Sequence, residues 1–489
     1  MLLLLVLVVA ILPAVTTAAL GWRPSTRTLH LASCVVLLAL AVWLAVRVLD
    51  AGTVRLGGHA LQADALAAFM VLVVATVALL AVWSASGYLD DELAHGHTTP
   101  AAARLFGSLL PAFVATMLLA LLAGNAAVAW IAIEGTTITT VFLVGHRRNR
   151  PALEASWKSV IIGSVGIALA FLGTIVLAYA VRATGADPAA ALNWDSLGAI
   201  AGQLDPSAAR LAGGLLLLGY GTKIGLAPMH TWLPDAHSQA PAPVSALMSG
   251  VLLAVAFSVF LRLKVIVDAA AGPHYMRGLL VAAALLSLLV AAAMMLAQRD
   301  AKRLLAYSSI EHMGVIAFAA AVGTTLAVAA LLLHVLAHAL GKSAAFLAVG
   351  ELPALDGTTR IAELRGLLIR RPVLGGLLAV AAFALLGLPP FALFASEIAV
   401  ARAGFDAGLY WQTSAIFAVL FVVSAALLYQ TGRLVLGTPA MRTRSEPAAP
   451  SRLTLVAPVA IGLVALGLLG ITVWPIDRLL DAATRVVTG

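Results

Sequence analysis

The sequence predicts an all-α polytopic membrane protein, and its composition and hydropathy are the observations that predict it. Of the 489 residues, 62% are hydrophobic and only 11% are charged, and the mean hydropathy is +1.03. Apolar runs of about 20 residues, the length that crosses a bilayer as a helix, recur between turn signals. A soluble domain of this composition is excluded, and we expect one membrane-embedded bundle.

The apolar runs predict about 14 transmembrane helices. The first run ends in small residues like a signal peptide, but it lacks a basic start, so we interpret it as the first span. The expected spans are residues 2–20, 29–46, 63–86, 105–122, 125–143, 159–181, 211–239, 241–261, 278–297, 304–322, 324–350, 373–401, 412–432 and 454–472.

The basic residues indicate an orientation. The net charge is +8, which is typical of a membrane protein with basic cytoplasmic loops; no aromatic-basic surface segment favours nucleic-acid binding. One set of alternate loops holds 18 of the 30 Lys and Arg residues, the other holds 10, and Lys223 and Lys342 fall inside spans. The positive-inside rule then predicts an inner (plasma) membrane protein with both termini on the outer, periplasmic side.

No cofactor is expected in this chain. The single cysteine, Cys34, excludes an intramolecular disulfide and an iron–sulfur cluster. Nucleotide, flavin and haem signatures are absent, and the glycine-rich GYGTKIG lacks the spacing of a phosphate-binding loop. Any redox chemistry therefore belongs to a partner chain.

Two of the expected spans look broken. Span 7 contains Pro228, and span 12 contains Pro389 and Pro390. Proline removes a backbone donor, and a broken helix is tolerated in a membrane only where protein or water satisfies the freed groups. Paired breaks point to a transport site.

The two breaks lie five spans apart. A repeat unit with an odd number of spans places its second copy in the membrane with the opposite orientation. We therefore expect two inverted five-helix repeats, each with one broken helix. The expected division is 1–100 (spans 1–3), 101–265 (spans 4–8), 266–435 (spans 9–13) and 436–489 (span 14).

Eight ionisable residues fall inside the expected spans. At about 2.5–3.5 kcal/mol each, their transfer into a bilayer costs roughly 20 kcal/mol before pairing or hydration. Structural polar contacts between membrane helices normally use Ser, Thr or Asn. Eight ionisable groups therefore favour an ion pathway over a purely structural role. They are Glu134, Lys223, Glu311, His312, His334, His338, Lys342 and Glu397.

The stretch LLLHVLAHALGKSAAF carries three of them at a spacing of four. His334, His338 and Lys342 therefore line one helix face over about 12 Å. Imidazole both donates and accepts protons near neutrality, so this face suits a proton relay better than a tight metal cluster. Glu134 and Lys223 are expected to form a gating ion pair, and Glu397 to terminate the row.

HTWLPDAH has metal-like residue types in His230, Asp235 and His237. The prolines around them distort any fixed ligand face, so no metal site is expected. With Glu311 and His312, these residues are instead candidate accessory groups for the pathway.

Three motifs resemble the antiporter-like membrane subunits shared by respiratory complex I, Mrp-type antiporters and membrane-bound hydrogenases. They are GYGTKIGLAPMHTWLPDAHSQAPAPVSALMSGVLL, LLLHVLAHALGKSAAFLAVGEL and LGLPPFALFASEI. RLLAYSSIEHMGVI and EASWKSVIIGSVGIALAFLGT are similar to the hydrogenase branch, notably hydrogenase-4 component F.

The resemblance implies a proton-translocating subunit of a multi-subunit, complex I-related oxidoreductase, of the group 4 hydrogenase or formate hydrogenlyase type. It implies other membrane subunits and peripheral oxidoreductase subunits as partners, with protons or Na+ as the ion. By matching motifs, Glu134 and Lys223 correspond to the gating pair, Glu397 to the terminal site, and His334, His338 and Lys342 to the central relay.

Two departures from the family pattern stand out. The family commonly has SEAP where this chain reads Ser238-Gln239-Ala240-Pro241, and span 8 carries no Lys or His before Arg262. The link between Lys223 and the central row must then use water, Ser249 or Ser258.

Other functions are also compatible with the sequence. The nearest are an Mrp-type Na+/H+ antiporter subunit and a membrane subunit of an NADH–quinone oxidoreductase. From other classes, a membrane enzyme using His230, Asp235 and His237 on a lipid-linked substrate, and a structural scaffold, are the alternatives.

Overall fold

The computed structural model describes residues 1–187, 191–438 and 453–489, and almost all of these residues are helical. Part of the expected loop between spans 13 and 14 lies outside the described residues. The helices are α1 Leu2–Leu20, α2 Pro24–Ala51, α3 Ala65–Ala94, α4 Pro100–Leu122, α5 Ala126–Val144, α6 Arg150–Ala183, α7 Trp194–Ile200, α8 Pro206–Ile224, α9 Trp232–Gln239, α10 Ala242–Leu247, α11 Leu253–Ala271, α12 Pro273–Leu296, α13 Ala301–Val322, α14 Thr325–Gly350, α15 Leu352–Asp356, α16 Leu367–Arg370, α17 Pro372–Leu385, α18 Ala392–Asp406, α19 Tyr410–Leu436, α20 Leu453–Ile471 and α21 Asp477–Thr488. A small antiparallel hairpin, β1 Val54–Leu56 and β2 Leu61–Ala63, joins α2 to α3.

The prediction of a helical polytopic membrane protein is confirmed. Among the described residues, 11 helices are long and apolar enough to cross a membrane, and two shorter apolar helices accompany them. The total of 14 spans stays a prediction, because length and composition alone identify these helices.

Both predicted breaks are present as separate helices. Span 7 consists of α8 and α9, and span 12 consists of α17 and α18. The peptide bonds Ala227–Pro228 and Pro389–Pro390 are cis. At the first break, the Ala227 N–H donates to the Ser287 hydroxyl at 2.9 Å, which satisfies a backbone group that the broken helix leaves free.

Span 8 differs from the expected continuous helix. It consists of α10, a π-helical segment at Met248–Leu252 and α11. A π segment widens the helix by one residue and is common at functional sites. Nothing in the apolar sequence MSGVL signals it.

The centre of the bundle is formed by α13, α14 and the helix pair α10–α11. The most apolar stretches of α13 and of 242–271 are completely buried, whereas only about a third of the corresponding stretches of α1 and α19 is buried. The helices that carry most of the ionisable residues are therefore the ones most shielded from lipid.

The third spanning helix starts at Ala65, two residues later than expected, and Asp64 precedes it and fixes its start. Its carboxylate accepts a hydrogen bond from the Ala67 N–H at 2.9 Å and two from Arg262 of α11, each 2.6 Å long. Burial opposes ionisation of Asp64, but the Arg262 guanidinium and the backbone N–H together hold its pKa below the ordinary value.

Candidate functional site: a buried row of ionisable side chains

In the first half of the chain, a threonine joins the two predicted members of the gating pair. The Lys223 ammonium donates to the Thr137 hydroxyl, and that hydroxyl donates to a Glu134 carboxylate oxygen at 2.9 Å. Ser164 of α6 donates to the other carboxylate oxygen at 3.1 Å. In the described residues, the Thr137 hydroxyl thus joins the Glu134 and Lys223 side chains in place of a direct ion pair, and the gating role of the two residues stays a prediction.

Glycine on α6 lets Lys223 reach this position. A side chain at Gly163 would bring its Cβ to 3.1 Å from the Lys223 Nζ, and one at Gly166 would collide with Thr222. Gly225, with φ +83, ends α8 two residues after the lysine. The lysine therefore lies in the last turn of α8.

In the second half, Lys342 begins the row. Its ammonium donates to the Ser308 hydroxyl at 2.6 Å and to the Leu305 carbonyl at 3.0 Å, both on α13. The side chain is completely buried. One turn away on the same helix face lies His338.

Three histidines from two helices continue the row. The His312 ring lies 5.1 Å from the His338 ring and 5.2 Å from the His334 ring, measured between centroids. His312 Nδ1 and His334 Nε2 are hydrogen-bonded at 3.2 Å. His312, predicted only as an accessory group, is therefore the junction of the row.

The row reaches α18 through Ser396. His334 Nδ1 and the Ser396 hydroxyl are hydrogen-bonded at 3.0 Å, and the next residue is Glu397. The Glu397 carboxyl lies against Gly387, which has φ +61 in the break between α17 and α18. Any larger residue at Gly387 would adopt a strained backbone and displace that carboxyl.

Glu311 adds a buried carboxylate beside the row. Its Oε1 lies 3.3 Å from His312 Nδ1, and its side chain is 2% exposed. Its helix, α13, packs against both α14, which carries Lys342, and α18, which carries Glu397. The predicted Glu311–His312 pair thus lies between the lysine end and the glutamate end.

Two buried histidines have no hydrogen-bond partner for either ring nitrogen in the described part of the chain. They are His338, inside the row, and His237 of α9. Buried polar atoms are normally paired, so these two rings differ from His312 and His334, which are hydrogen-bonded to described residues.

A serine pair joins the π-helical segment of span 8 to α13. The Ser249 hydroxyl, in the π-helical segment, is hydrogen-bonded to the Ser309 hydroxyl of α13 at 2.7 Å. Ser309 follows Ser308, which holds Lys342. Ser258, the other residue considered for this link, donates to its own helix at Val255.

The three residues of HTWLPDAH take separate roles. His230 is half-buried, and Asp235 forms ion pairs with Lys158 and Arg303, each 3.1 Å long. His237 stacks on Phe346 of α14 with 5.3 Å between ring centroids. In the described residues, no three His, Cys, Asp or Glu side chains converge as metal ligands.

Another buried lysine contacts the chain three residues after His237. Lys302 is a buried lysine that the sequence placed in a loop, and its ammonium donates to the Ala240 carbonyl at 2.5 Å. Through its contact with Phe346, one turn after Lys342, His237 packs against the helix that carries this lysine.

Several polar residues of the site escaped sequence reasoning. Thr137, Ser164, Ser308 and Ser396 connect the ionisable groups, and hydroxyl residues in membrane helices are too common to be singled out. Their usable signal is position: Thr137 lies one turn after Glu134, and Ser396 precedes Glu397.

The fold and the site together define a class: a polytopic helical membrane protein whose two broken helices flank a buried row of ionisable side chains. The chain matches the family model described as "NADH:quinone oxidoreductase/Mrp antiporter, TM" over residues 123–424. It belongs to this family.

Relatives and a solved structure agree with this assignment. The chain is 43% identical over 320 residues to a hydrogenase-4 component F homolog of Methylacidiphilum infernorum, covering 65% of this chain and 67% of that protein. It is 30% identical over 423 residues to the NADH-quinone oxidoreductase subunit N of Desulforudis audaxviator, covering 84% and 81%. Its fold is similar to a chain of the archaeal membrane-bound sulfane sulfur reductase, with a TM-score of 0.87, 22% identity and coverage of 99% and 97%.

Proposed function

We propose that this chain is the proton-translocating subunit of a multi-subunit, complex I-related membrane oxidoreductase. The observation that carries the proposal is the buried row that begins with Lys342 and His338, one turn apart on α14, and continues to Glu397. The His338 ring lies 5.1 Å from the His312 ring, and hydrogen bonds join His312 to His334 and His334 to Ser396, the residue before Glu397. The two hydrogen bonds provide direct steps for a proton, and imidazole can receive a proton on one nitrogen and release it from the other.

The complex we favour is a group 4 hydrogenase or a formate hydrogenlyase-like assembly. Support comes from the 43% identical relative, whose name is hydrogenase-4 component F homolog, and from the Glu311–His312 pair beside the row. The partners are then other membrane subunits and peripheral oxidoreductase subunits, which hold the redox centres. The location is the plasma membrane, with both termini on the outer side.

Helix packing supports the proposed inverted repeats, residues 101–265 and 266–435. In the first, α4 packs on α5, α5 on α6, and α6 on broken α8. In the second, α12 packs on α13, α13 on α14, and α14 on broken α17 and α18. The same order of neighbours in each set, within a total of 14 spans, is the arrangement that two copies of one five-helix unit produce.

In the proposed mechanism, redox energy from partner subunits separates Lys223 from Thr137 and Glu134. A buried ammonium that loses its hydrogen bond and its nearby carboxylate releases its proton more easily. The proton then passes toward Lys342, and the Ser249–Ser309 contact with water on either side is the route between the halves. From Lys342 it moves along the histidines to Glu397.

The test replaces each end of the pathway in the reconstituted complex. Lys223→Ala and Glu397→Ala should abolish redox-driven proton translocation, measured with a pH-sensitive dye in proteoliposomes, while the complex still assembles and turns over its redox substrate. Unchanged proton translocation in both variants would overturn the proposal.

The same proteoliposomes distinguish the Mrp-type alternative, which the description of the matching family includes. Na+-dependent proton movement driven by an imposed Na+ gradient, without any redox substrate, would replace the oxidoreductase proposal. We expect no such movement, and we expect nickel-hydrogenase or related oxidoreductase subunits to copurify with the chain.

A further inference from the structure

We propose that an anionic phospholipid binds in a groove between the beginning of α4, the end of α5 and the beginning of α6, here called the α4–α6 groove. The groove has a volume of about 500 Å³, within the range of about 300–1,000 Å³ that small-molecule sites occupy. It lies away from the buried row and has no part in the proposed proton pathway.

The walls of the α4–α6 groove are apolar and open to the outside of the bundle. Leu105, Phe142, Leu153 and Trp157 line it, and Phe142 and Trp157 are 56% and 65% exposed. In a membrane these side chains face acyl chains. Tryptophan is enriched where the hydrocarbon meets the headgroups, so the groove spans the depth at which a phospholipid changes from apolar to polar.

The rim of the groove is cationic. The turn between α5 and α6 reads GHRRNR from residue 145 to 150, and both His146 and Arg148 of this turn line the groove. Arg148 has a left-handed backbone, φ +51, and its N–H donates to the Gly145 carbonyl at 2.9 Å. This conformation is uncommon for a residue other than glycine.

The rim cations lack acidic partners. Arg148, which lines the groove, is exposed and forms no ion pair with any described residue. The same is true of Arg150, two residues later, and of Arg104, which precedes the groove residue Leu105. The nearby carboxylate of Glu154 already pairs with Lys158 at 2.6 Å. The rim therefore offers the free guanidinium group of Arg148 to an anion, with Arg104 and Arg150 close to groove residues in the sequence.

Charge and shape together specify the occupant. A phosphate ester complements guanidinium groups, which bind its oxygens by two parallel hydrogen bonds, and an acyl chain complements the apolar walls. A zwitterionic headgroup adds a cation that the rim arginines repel. An anionic phospholipid such as phosphatidylglycerol satisfies both parts of the groove, and basic pockets between membrane helices are known to select such headgroups.

The experiment uses the purified full-length chain in its native complex, delipidated in detergent. Phosphatidylglycerol and phosphatidylcholine are added separately, and bound lipid is counted by native mass spectrometry alongside the thermal midpoint. Arg148→Gln removes a rim charge, and Val160→Trp fills the groove while leaving the rim intact. Arg182→Gln is the matched control, because Arg182 is an exposed arginine at the opposite end of α6.

Phosphatidylglycerol should bind and raise the thermal midpoint, and phosphatidylcholine should do so much less. One interfacial arginine corresponds to on the order of fivefold in affinity for an anionic surface, so Arg148→Gln should weaken binding by about that factor. Val160→Trp should remove the bound lipid, and Arg182→Gln should bind like the unmodified chain.

Equal retention of both lipids would overturn the proposal, and so would equal affinity of Arg148→Gln and Arg182→Gln. Stabilisation by inorganic phosphate alone, to the same extent, would show that the rim binds a free anion and not a lipid. A groove covered by a partner subunit, with no lipid retained in the intact complex, would also contradict it.

Discussion

The Thr137 hydroxyl is the group whose removal most cleanly tests the gate. It lies between the Lys223 ammonium and the Glu134 carboxylate, accepting from one and donating to the other. Thr137→Val keeps the branched shape of the side chain and removes only the hydroxyl. Lys223 then stays buried without a hydrogen-bond acceptor, and Glu134 loses one of its two donors.

The size of the effect follows from the charge of the lysine. A hydrogen bond to a charged group contributes about 1.5–3 kcal/mol, which corresponds to about tenfold to hundredfold in the equilibrium between closed and open gate. We expect Thr137→Val to leave electron transfer measurable and to lower the protons moved per electron in proteoliposomes.

The matched control is Thr140→Val on the same helix. Thr140 is also buried, but its hydroxyl donates only to backbone carbonyls of its own helix at Thr136 and Thr137. The complex with Thr140→Val should translocate protons at close to the normal rate. If the two variants behave alike, Thr137 has no special role and the gating mechanism is refuted.

Three further changes test other parts of the molecule. Ser249→Ala removes a neutral hydrogen bond to α13, so proton translocation should slow by about twofold to tenfold, whereas Ser258→Ala should have no effect; equal rates would exclude the serine link. Gly387→Ala should cost about 1–2 kcal/mol of backbone strain and displace the adjoining carboxylate, giving assembled complexes with reduced proton translocation; a normal rate would show that this carboxylate is not needed in place. Arg262→Ala leaves the buried Asp64 carboxylate without its partner, so it should lower the free energy of unfolding by about 3 kcal/mol and lower the thermal midpoint; an unchanged midpoint would contradict this. Because the pKa of Asp64 is lowered in the folded chain, the stabilisation of the unmodified chain is present at neutral pH and is lost as the pH falls below about 4.

The fold was largely predictable because membrane helices follow simple physical rules. Apolar length gives the spans, and Pro228 and the Pro389–Pro390 pair give both breaks, since proline cannot continue a helix hydrogen-bond ladder. The π-helical segment at Met248–Leu252 was not predictable, because one extra residue in an apolar helix leaves no compositional trace.

The candidate site was predictable in its ionisable members and not in its connections. A buried Lys, Glu or His is costly enough to be conspicuous in a sequence, whereas Thr137 and Ser396 resemble any helical hydroxyl. His312 became the junction only because α13 and α14 pack face to face, a tertiary contact that the spacing along one helix does not contain. Tertiary packing also places the Thr137 hydroxyl between Lys223 and Glu134, and the sequence does not contain this contact either.

The most direct test of the proton row is made at its junction. His312→Leu removes both ring nitrogens between His338 and His334 while keeping a buried apolar side chain of similar size, and the measurement is the number of protons translocated per electron in the reconstituted complex. We predict that redox turnover persists and proton translocation is lost. Proton translocation at the normal ratio in His312→Leu would contradict a pathway through this row.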